Sequence, residues 1–427
     1  GELLICGGTN WSTNGRKKAI KGDEKYENIG KNLFKPHRYK SLIGIKVSRA
    51  ITGCCSNHCL LITNEGKVYS WGRNETGQLG HGDKKRYDTP KPIDSLQKYS
   101  IVNAATGKNH TMCLTQHGEV FAFGENAQGQ LGLGNLSTNV ASPTKIAYKG
   151  NPIIDIACGG EFSVILDCEG SVYTFGCPEY GQLGNNTDGK FFVAGNKLFD
   201  NVKNPYRIPL WVEKMKGGTG CPPLLGLRIK ITSIACGMNH TVALDSKKRV
   251  FTWGFGGYGR LGHSEQKDEH IPRLLTVFDR PGRGAVQVFA GYSFTLALNE
   301  MGWFFWGGVG GSRETTMYPK PISDLQVTII RNDHFVSLRS IGCGYRHCAV
   351  AADESVIVWG TGTANGELGL GENRKSSANP DLMKSAASLF VQRVACGHRH
   401  TLMIVRADSE KDKSALDELV VYDPVQC

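Results

Sequence analysis

Gly107-Lys-Asn-His110-Thr-Met-Cys-Leu-Thr-Gln-His-Gly118-Glu-Val-Phe-Ala-Phe123-Gly124-Glu-Asn-Ala-Gln-Gly129-Gln-Leu-Gly132 carries three landmarks whose recurrence decides the fold. A glycine followed three positions later by histidine opens the stretch, an aromatic-glycine pair stands at 123–124, and Gly-Gln-Leu-Gly closes it. The aromatic-glycine pair recurs at Trp71-Gly72, Phe123-Gly124, Phe175-Gly176, Trp253-Gly254, Trp306-Gly307 and Trp359-Gly360, with spacings of 52, 52, 78, 53 and 53 residues. The opening element recurs as Gly159-x-x-Phe162, Gly237-x-x-His240, Gly291-x-x-Phe294, Gly344-x-x-His347 and Gly397-x-x-His400, and one residue longer from Gly53 to His58. The closing element recurs at 77–80, 181–184, 259–262 and 366–369, and after Trp306 it has decayed to Val309-Gly-Gly-Ser-Arg.

Between the first two landmarks each unit reads as a hairpin: Leu60-Leu-Ile, a turn at Asn64-Glu-Gly66, then Val68-Tyr-Ser-Trp71. Gly66, Gly118, Gly170 and Gly302 share the turn position, where a positive φ is required. Strand-sized segments at a fixed period, with no sustained 3.6-residue pattern, mean small sheets that are buried only by stacking on their neighbours. Radial stacking gives an all-β propeller. Seven Gly-x-x-His/Phe elements occur but only six aromatic-glycine hairpins follow them, since Ala395-Cys-Gly-His-Arg-His-Thr-Leu-Met-Ile404 runs into a polar segment. Leu3-Leu-Ile-Cys6-Gly7 matches the missing strand, with Cys6 in the aromatic's place. The expected fold is therefore a seven-bladed β-propeller spanning 1–427 as a single domain, with one blade completed by both chain termini. Residues 9–46 read as a basic extended connection, 185–227 as an inserted segment and 407–427 as a polar tail.

These landmarks resemble the regulator of chromosome condensation repeats over nearly the whole chain. Phe175-Gly-Cys-Pro-Glu-Tyr-Gly-Gln-Leu-Gly184, Trp253-Gly-Phe-Gly-Gly-Tyr-Gly-Arg-Leu-Gly262 and Gly1-Glu-Leu-Leu-Ile-Cys-Gly-Gly-Thr-Asn-Trp11 are more similar to the branch of the superfamily's second paralogue than to the Ran exchange factor. The resemblance implies a mitotic and cytoskeletal regulator that associates with centromeres, microtubules and small GTPases of the Rac, Ral and Arf groups. It places such a protein at the nucleus and chromosome, the spindle and midbody, and the cytoplasm.

Composition agrees with a binding protein. The 54 glycines of 427 residues follow no G-X-Y period, so they mark turns. No apolar run approaches the roughly 18 residues that span a bilayer. Fourteen cysteines, mostly apolar-flanked, read as reduced buried thiols rather than a disulfide scaffold. The net charge of +11 favours acidic partners, chromatin among them. The chain opens on Gly1 and shows no signal sequence, so targeting tails can lie outside it.

Catalytic readings fail on context. Gly254-x-Gly256-x-x-Gly259 spells a dinucleotide fingerprint but coincides with the repeat landmark and lacks the strand-helix setting. The recurrent histidines give way to Phe162 and Phe294, so their slot is a packing position, and Cys396-Gly-His398-Arg-His400 lacks zinc spacing. No cofactor, metal site or bond-making catalysis is expected, which leaves guanine-nucleotide exchange as the activity still open.

Departures from the repeat are the remaining candidates, because a propeller's insertions lie on its faces. Residues 16–49 hold eleven basic side chains against three acidic, with Arg16, Lys17, Lys18, Lys21, Lys35, Arg38 and Lys40 as the basic patch; this is either solvated loop charge or a site for an acidic partner. The insertion holds Lys190, Phe191, Tyr206, Arg207, Trp211 and Lys214, aromatic and basic residues interleaved as at interface hot spots, with alternation over Ile208–Val212 suggesting an added strand. It is either a recognition surface on one face or a structural strand packing Trp211 on its blade. Lys84, Lys85 and Arg86 are secondary candidates.

Overall fold

The register of the second and third strands of each blade explains why the landmarks recur together. His58 lies opposite Gly72, His110 opposite Gly124, Phe162 opposite Gly176 and His347 opposite Gly360. The glycine following the aromatic has no substitute there: φ at Gly72 is 108°, and a Cβ would stand 2.8 Å from the His58 Cα. His400 pairs with Gly7, which puts Leu3-Leu-Ile-Cys6-Gly7 in the same role.

This computed structural model describes residues 1–16, 30–213, 222–224, 228–309, 315–323, 325, 330–331, 334–335, 338–352 and 355–424. Seven antiparallel sheets carry the repeats. In the third, Ile153–Cys158, Phe162–Asp167, Val172–Gly176 and Val202–Arg207 lie in that order from the axis outward. The closing blade runs Val391–Cys396, His400–Val405, Glu2–Gly8, Asn32–Tyr39, so both ends of the chain build it. First strands touch one another around the whole ring, from Val47–Ile51 through Ile101–Thr106, Ile153–Cys158, Ile231–Cys236, Ala285–Ala290, Ser340–Cys343 and Val391–Cys396 back to the start. They enclose the axial channel.

The blades are joined by burial and by one repeated polar motif. The core lies largely between neighbouring sheets: Leu3, Ile5 and Leu33 of the closing blade pack with Val47, Leu61 and Trp71 of the first. At four of the seven junctions the histidine Nε2 meets the hydroxyl that follows the next blade's His or Phe: His58 to Thr111 at 2.8 Å, His110 to Ser163 at 2.9 Å, His240 to Thr295 at 2.9 Å and His347 to Thr401 at 2.8 Å; at the closing junction His400 Nε2 meets Thr52 Oγ1 at 3.0 Å and Cys59 Sγ at 3.1 Å. The hydroxyls of Thr111, Ser163, Thr295 and Thr401 donate to the carbonyls of Gln78, Gln130, Arg260 and Glu367, the second residue of the closing landmark. Each hydroxyl thus accepts from a neutral histidine protonated at Nε2. Where Phe162 replaces histidine, Trp253 Nε1 takes over the Gln182 carbonyl at 2.9 Å. Phe294 faces a blade whose equivalent residue is Cys348 and needs no donor.

The turn glycines Gly66, Gly118, Gly170 and Gly302 have φ of 75°, 80°, 85° and 120°. In the fourth blade Lys248 adopts φ 64° at that turn. Residues beyond Val405 form a helix, Glu410–Asp417, capped by Ser409 in a capping box with Asp412, and a short strand, Val421–Tyr422, parallel to Asn32–Tyr39. Tyr422 is buried edge-on against Tyr39. The alternation at Ile208–Val212 does not build a strand. Ile208, Trp211 and Val212 are buried beside the fourth blade, and Val212 makes only isolated bridges to Arg273 and Pro223.

Two outcomes follow for stability. Burial holds His58, His110 and His400 at a pKa of about 3 and His347 at about 4, with His240 also well below the ordinary value. Unfolded histidine titrates near 6.5, so the unfolded chain takes up protons first, and stability is complete above about pH 6.5 and falls as pH drops toward 3. Denaturant midpoints measured from pH 7.5 to 4 should fall steadily below pH 6.5; a flat profile would show that the histidines are not buried neutral. Removing Gly1–Gly7 deletes Leu3, Leu4 and Ile5, each fully buried and worth about 1.5–3 kcal/mol. Against a total stability of about 5–15 kcal/mol the truncated chain should lose cooperative melting or self-associate through the opened edge; melting and elution identical to the intact chain would contradict the shared blade.

Candidate partner-binding face

Strand direction assigns each connection to one of two faces. The Gly-x-x-His linkers join first to second strands, and the connections from third to fourth strands emerge at the same end. Hairpin turns such as 168–171, and the links from one blade to the next, lie at the other. Residues 9–16 and 30–31 of the basic connection and residues 177–201 of the insertion belong to third-to-fourth connections, so these described parts lie at the face of the Gly-x-x-His linkers.

The variable residues of those linkers form the mouth of the channel. Asn57, Lys108, Met238, Tyr292, Tyr345 and His398, one from each of six blades, border a cavity of about 630 Å³. A circuit of backbone bonds holds the linkers together, with Lys108 N to Gly160 O at 3.2 Å, Gly160 N to Met238 O at 2.8 Å and Met238 N to Tyr292 O at 3.2 Å. Tyr345 stacks on His398 with centroids 4.3 Å apart and meets Tyr292 edge-on at 4.5 Å. Arg16, Arg73, Lys108, Arg346 and Arg399 also border the cavity, against the single carboxylate of Glu367. Burial first, then the charges of Arg399, Arg73 and Arg346, bring His398 down to a pKa of about 3, so it is neutral. Arg73 is fixed by the carbonyls of Trp11 and Asn14, and Arg16 pairs with Glu75 at 2.7 Å.

On the same face stands a two-stranded hairpin, Lys190–Val193 and Asn196–Phe199, on a tight turn in which Ala194 and Gly195 both have positive φ. Phe191, Phe192, Val193 and Leu198 are 43%, 64%, 52% and 43% exposed, a concentration of apolar surface that a monomer's own packing does not use. Lys190 lies over the Phe192 ring at 5.2 Å and Lys197 over Phe199 at 4.7 Å, and Lys197 ties the hairpin to Glu179 at 3.3 Å.

The residues expected to act together from sequence are divided. Lys190 and Phe191 are on the hairpin, and exposed Lys84 and Lys85 share its face. Tyr206 and Arg207 end the outer strand at the opposite face, where Arg207 meets Ser171. The expectation of one recognition face across 185–227 is therefore corrected: an intervening strand, Val202–Arg207, crosses the blade. Trp211 is no anchor, since it is 9% exposed and packs edge-on against Phe251 and Trp253 at 5.0 and 5.9 Å. Arg86 is buried against Ser12 and Asp88. Arg38 is buried in ion pairs with Glu2 and Asp417, both at 2.6 Å, and Lys40 pairs with Asp423 at the other end of the blade. Lys35 is exposed on the outer strand. Lys17, Lys18, Lys21 and Lys214 lie outside the described residues.

Among the described residues no three His, Cys, Asp or Glu side chains cluster to hold a metal, and no helix is long and apolar enough to cross a membrane. Burial pushes the thiols of Cys6 and Cys177 up to about 12 and about 11.

Against known proteins, residues 2–403 match the RCC1-like domain. The chain is 51% identical over 427 residues to Protein RCC2 of Homo sapiens, covering 99% of this chain and 80% of that protein. Among solved structures, human WBSCR16 superposes with a TM-score of 0.73 at 21% identity, covering 95% of this chain and 100% of that one. Prp20p from Saccharomyces cerevisiae, studied for its binding to Gsp1p and histones, superposes at 0.70 and 20% identity, covering 98% of this chain and 94% of that one. At these identities the structural matches speak for the fold.

The packing of Trp211 has a measurable consequence. Trp211→Ala should destabilise the protein by about 3–5 kcal/mol in denaturant titrations, while the folded variant retains its partners in pull-downs. A stable variant that loses partner binding would restore Trp211 as an anchor.

Proposed function

The chain belongs to the RCC1-like domain family, and from that premise we propose that its propeller is a non-catalytic platform that binds and regulates small GTPases of the Rac, Ral or Arf type. The observation that carries this reading is the Lys190–Phe199 hairpin, four exposed apolar side chains flanked by lysines on the same face as a cation-lined mouth. Aromatic anchors give affinity by burial and surrounding cations give orientation and on-rate toward an acidic partner. A nuclear or chromatin-associated role accompanies the family. The finer assignment is to cell-cycle progression, chromosome and spindle organisation and cell migration, at centromeres, spindle, midbody and cytoplasm, with microtubules and chromatin as further acidic partners.

Nucleotide exchange is a second reading, favoured by the hairpin's shape: a projecting, lysine-bearing loop is the kind of element that enters a GTPase's phosphate site and prefers the nucleotide-free state. Binding to DNA through the basic connection is a third, marked by affinity that falls steeply with salt.

Pull-downs against nucleotide-free, GDP and GTP forms of Rac, Ral, Arf and Ran, with release of labelled GDP, separate these readings. In the pair that binds, Phe191→Ser with Phe192→Ser should lower affinity at least thirtyfold, the loss of about 2 kcal/mol expected of a true anchor, with Tm unchanged because both rings are already solvated. Undiminished affinity would remove the hairpin from the interface.

A further inference from the structure

Below its mouth, the first strands carry a polar residue four positions before each linker glycine: Arg49, Asn103, Asp155, Ser233, Gln287, Ser340 and Arg393. Five of the seven blades carry a neutral side chain there or, at Asp155, a single hydrogen-bonded carboxylate. Asp155 accepts from the Ile156 amide at 2.9 Å and lies 3.4 Å from the Asn103 amide, and Ser340 bonds the Val394 backbone amide at 3.1 Å. The exception is the junction of the first and closing blades.

There Arg49 and Arg393 border one cavity of about 230 Å³, together with Thr52, Asn103 and Ser340. Neither guanidinium has a hydrogen bond or ion pair with a described residue. Two cations on adjacent strands of the channel repel: burial followed by the charge of Arg393 pulls the Arg49 pKa below its ordinary value, against a smaller attraction from Asp155. Arg49 is half-buried and Arg393 exposed, and neither arginine ties the two blades together through a bond of its own. Paired guanidiniums do bring a benefit when a planar or tetrahedral oxyanion lies between them, because each presents a fork of donors to its oxygens. We propose that the waist of the channel is a binding site for a small oxyanion, a phosphate or carboxylate group held between Arg49 and Arg393. The cavity admits a small molecule and not a protein loop, so this site is separate from the partner-binding face and stands whether or not a GTPase binds there.

The test is thermal melting of the whole chain in a low-salt buffer free of multivalent anions, with sodium phosphate and sodium citrate added separately at low millimolar concentration. Either anion should raise Tm by at least about 2 °C, as expected when a ligand binds only the folded state. Phosphate acting alone identifies a phosphate-bearing ligand, and citrate alone a polycarboxylate. The rise should vanish in Arg49→Gln with Arg393→Gln and survive in a charge-matched control, Lys145→Gln with Lys149→Gln. Without added anion the double arginine variant should melt at or above the parent, because the repulsion is gone. The proposal is overturned by a parent that responds to neither anion, by a double variant that responds as the parent does, or by one that melts below the parent without anions, which would make the arginines part of the fold's own bonding.

Discussion

The rest of the molecule depends on the bond between a buried histidine and the hydroxyl of the next blade. A propeller blade cannot bury its faces alone, and stacking by apolar contact fixes no angle between neighbouring sheets. The chain from His58 to Thr111 to the Gln78 carbonyl, repeated at His110, His240 and His347, supplies that orientation by tying three elements of two blades through one hydroxyl. With the pairing of His58 opposite Gly72 it links all three sequence landmarks, which explains their recurrence as a set. The histidine must carry a proton on Nε2, because the hydroxyl has already committed its own proton to a carbonyl, and burial keeps the ring neutral.

A ring held at its junctions frees its loops. The linkers keep their glycine and a buried His or Phe, but the two residues between face the channel mouth and vary from Lys108-Asn109 to Tyr345-Arg346 to His398-Arg399 from blade to blade. The connections from third to fourth strands are free in length, and the longest of them lie on that same face. Rigidity beneath and variation above is the arrangement by which one fold carries many partners.

Much of this was legible in the sequence. The period gave the blade, the displaced Cys6-Gly7 gave the shared closure, and replacement of histidine by Phe162 and Phe294 marked the slot as packing. What the period could not give was which end of a blade an insertion leaves from. Residues 185–227 read as one surface because the strand Val202–Arg207 inside them, with Pro205 and an exposed, polar pattern, carries no apolar alternation. Trp211 read equally well as an anchor or as packing, since both need an aromatic among polar neighbours. Arg38 and Arg86 counted as free charge because their partners Glu2, Asp417 and Ser12 are distant in sequence or uncharged. The channel-mouth residues carry no repeat signal, because they are the variable pair of the linker and differ from blade to blade.

The central claim, that partners meet the face carrying the hairpin and the channel mouth, is tested most directly by hydrogen–deuterium exchange of the protein with and without a bound GTPase. The account predicts slowed exchange at 190–199 and at the linkers around Lys108 and His398, with turns of the opposite face such as 246–248 unchanged. Protection confined to the opposite face, with 190–199 exchanging as freely as in the unbound protein, would contradict it.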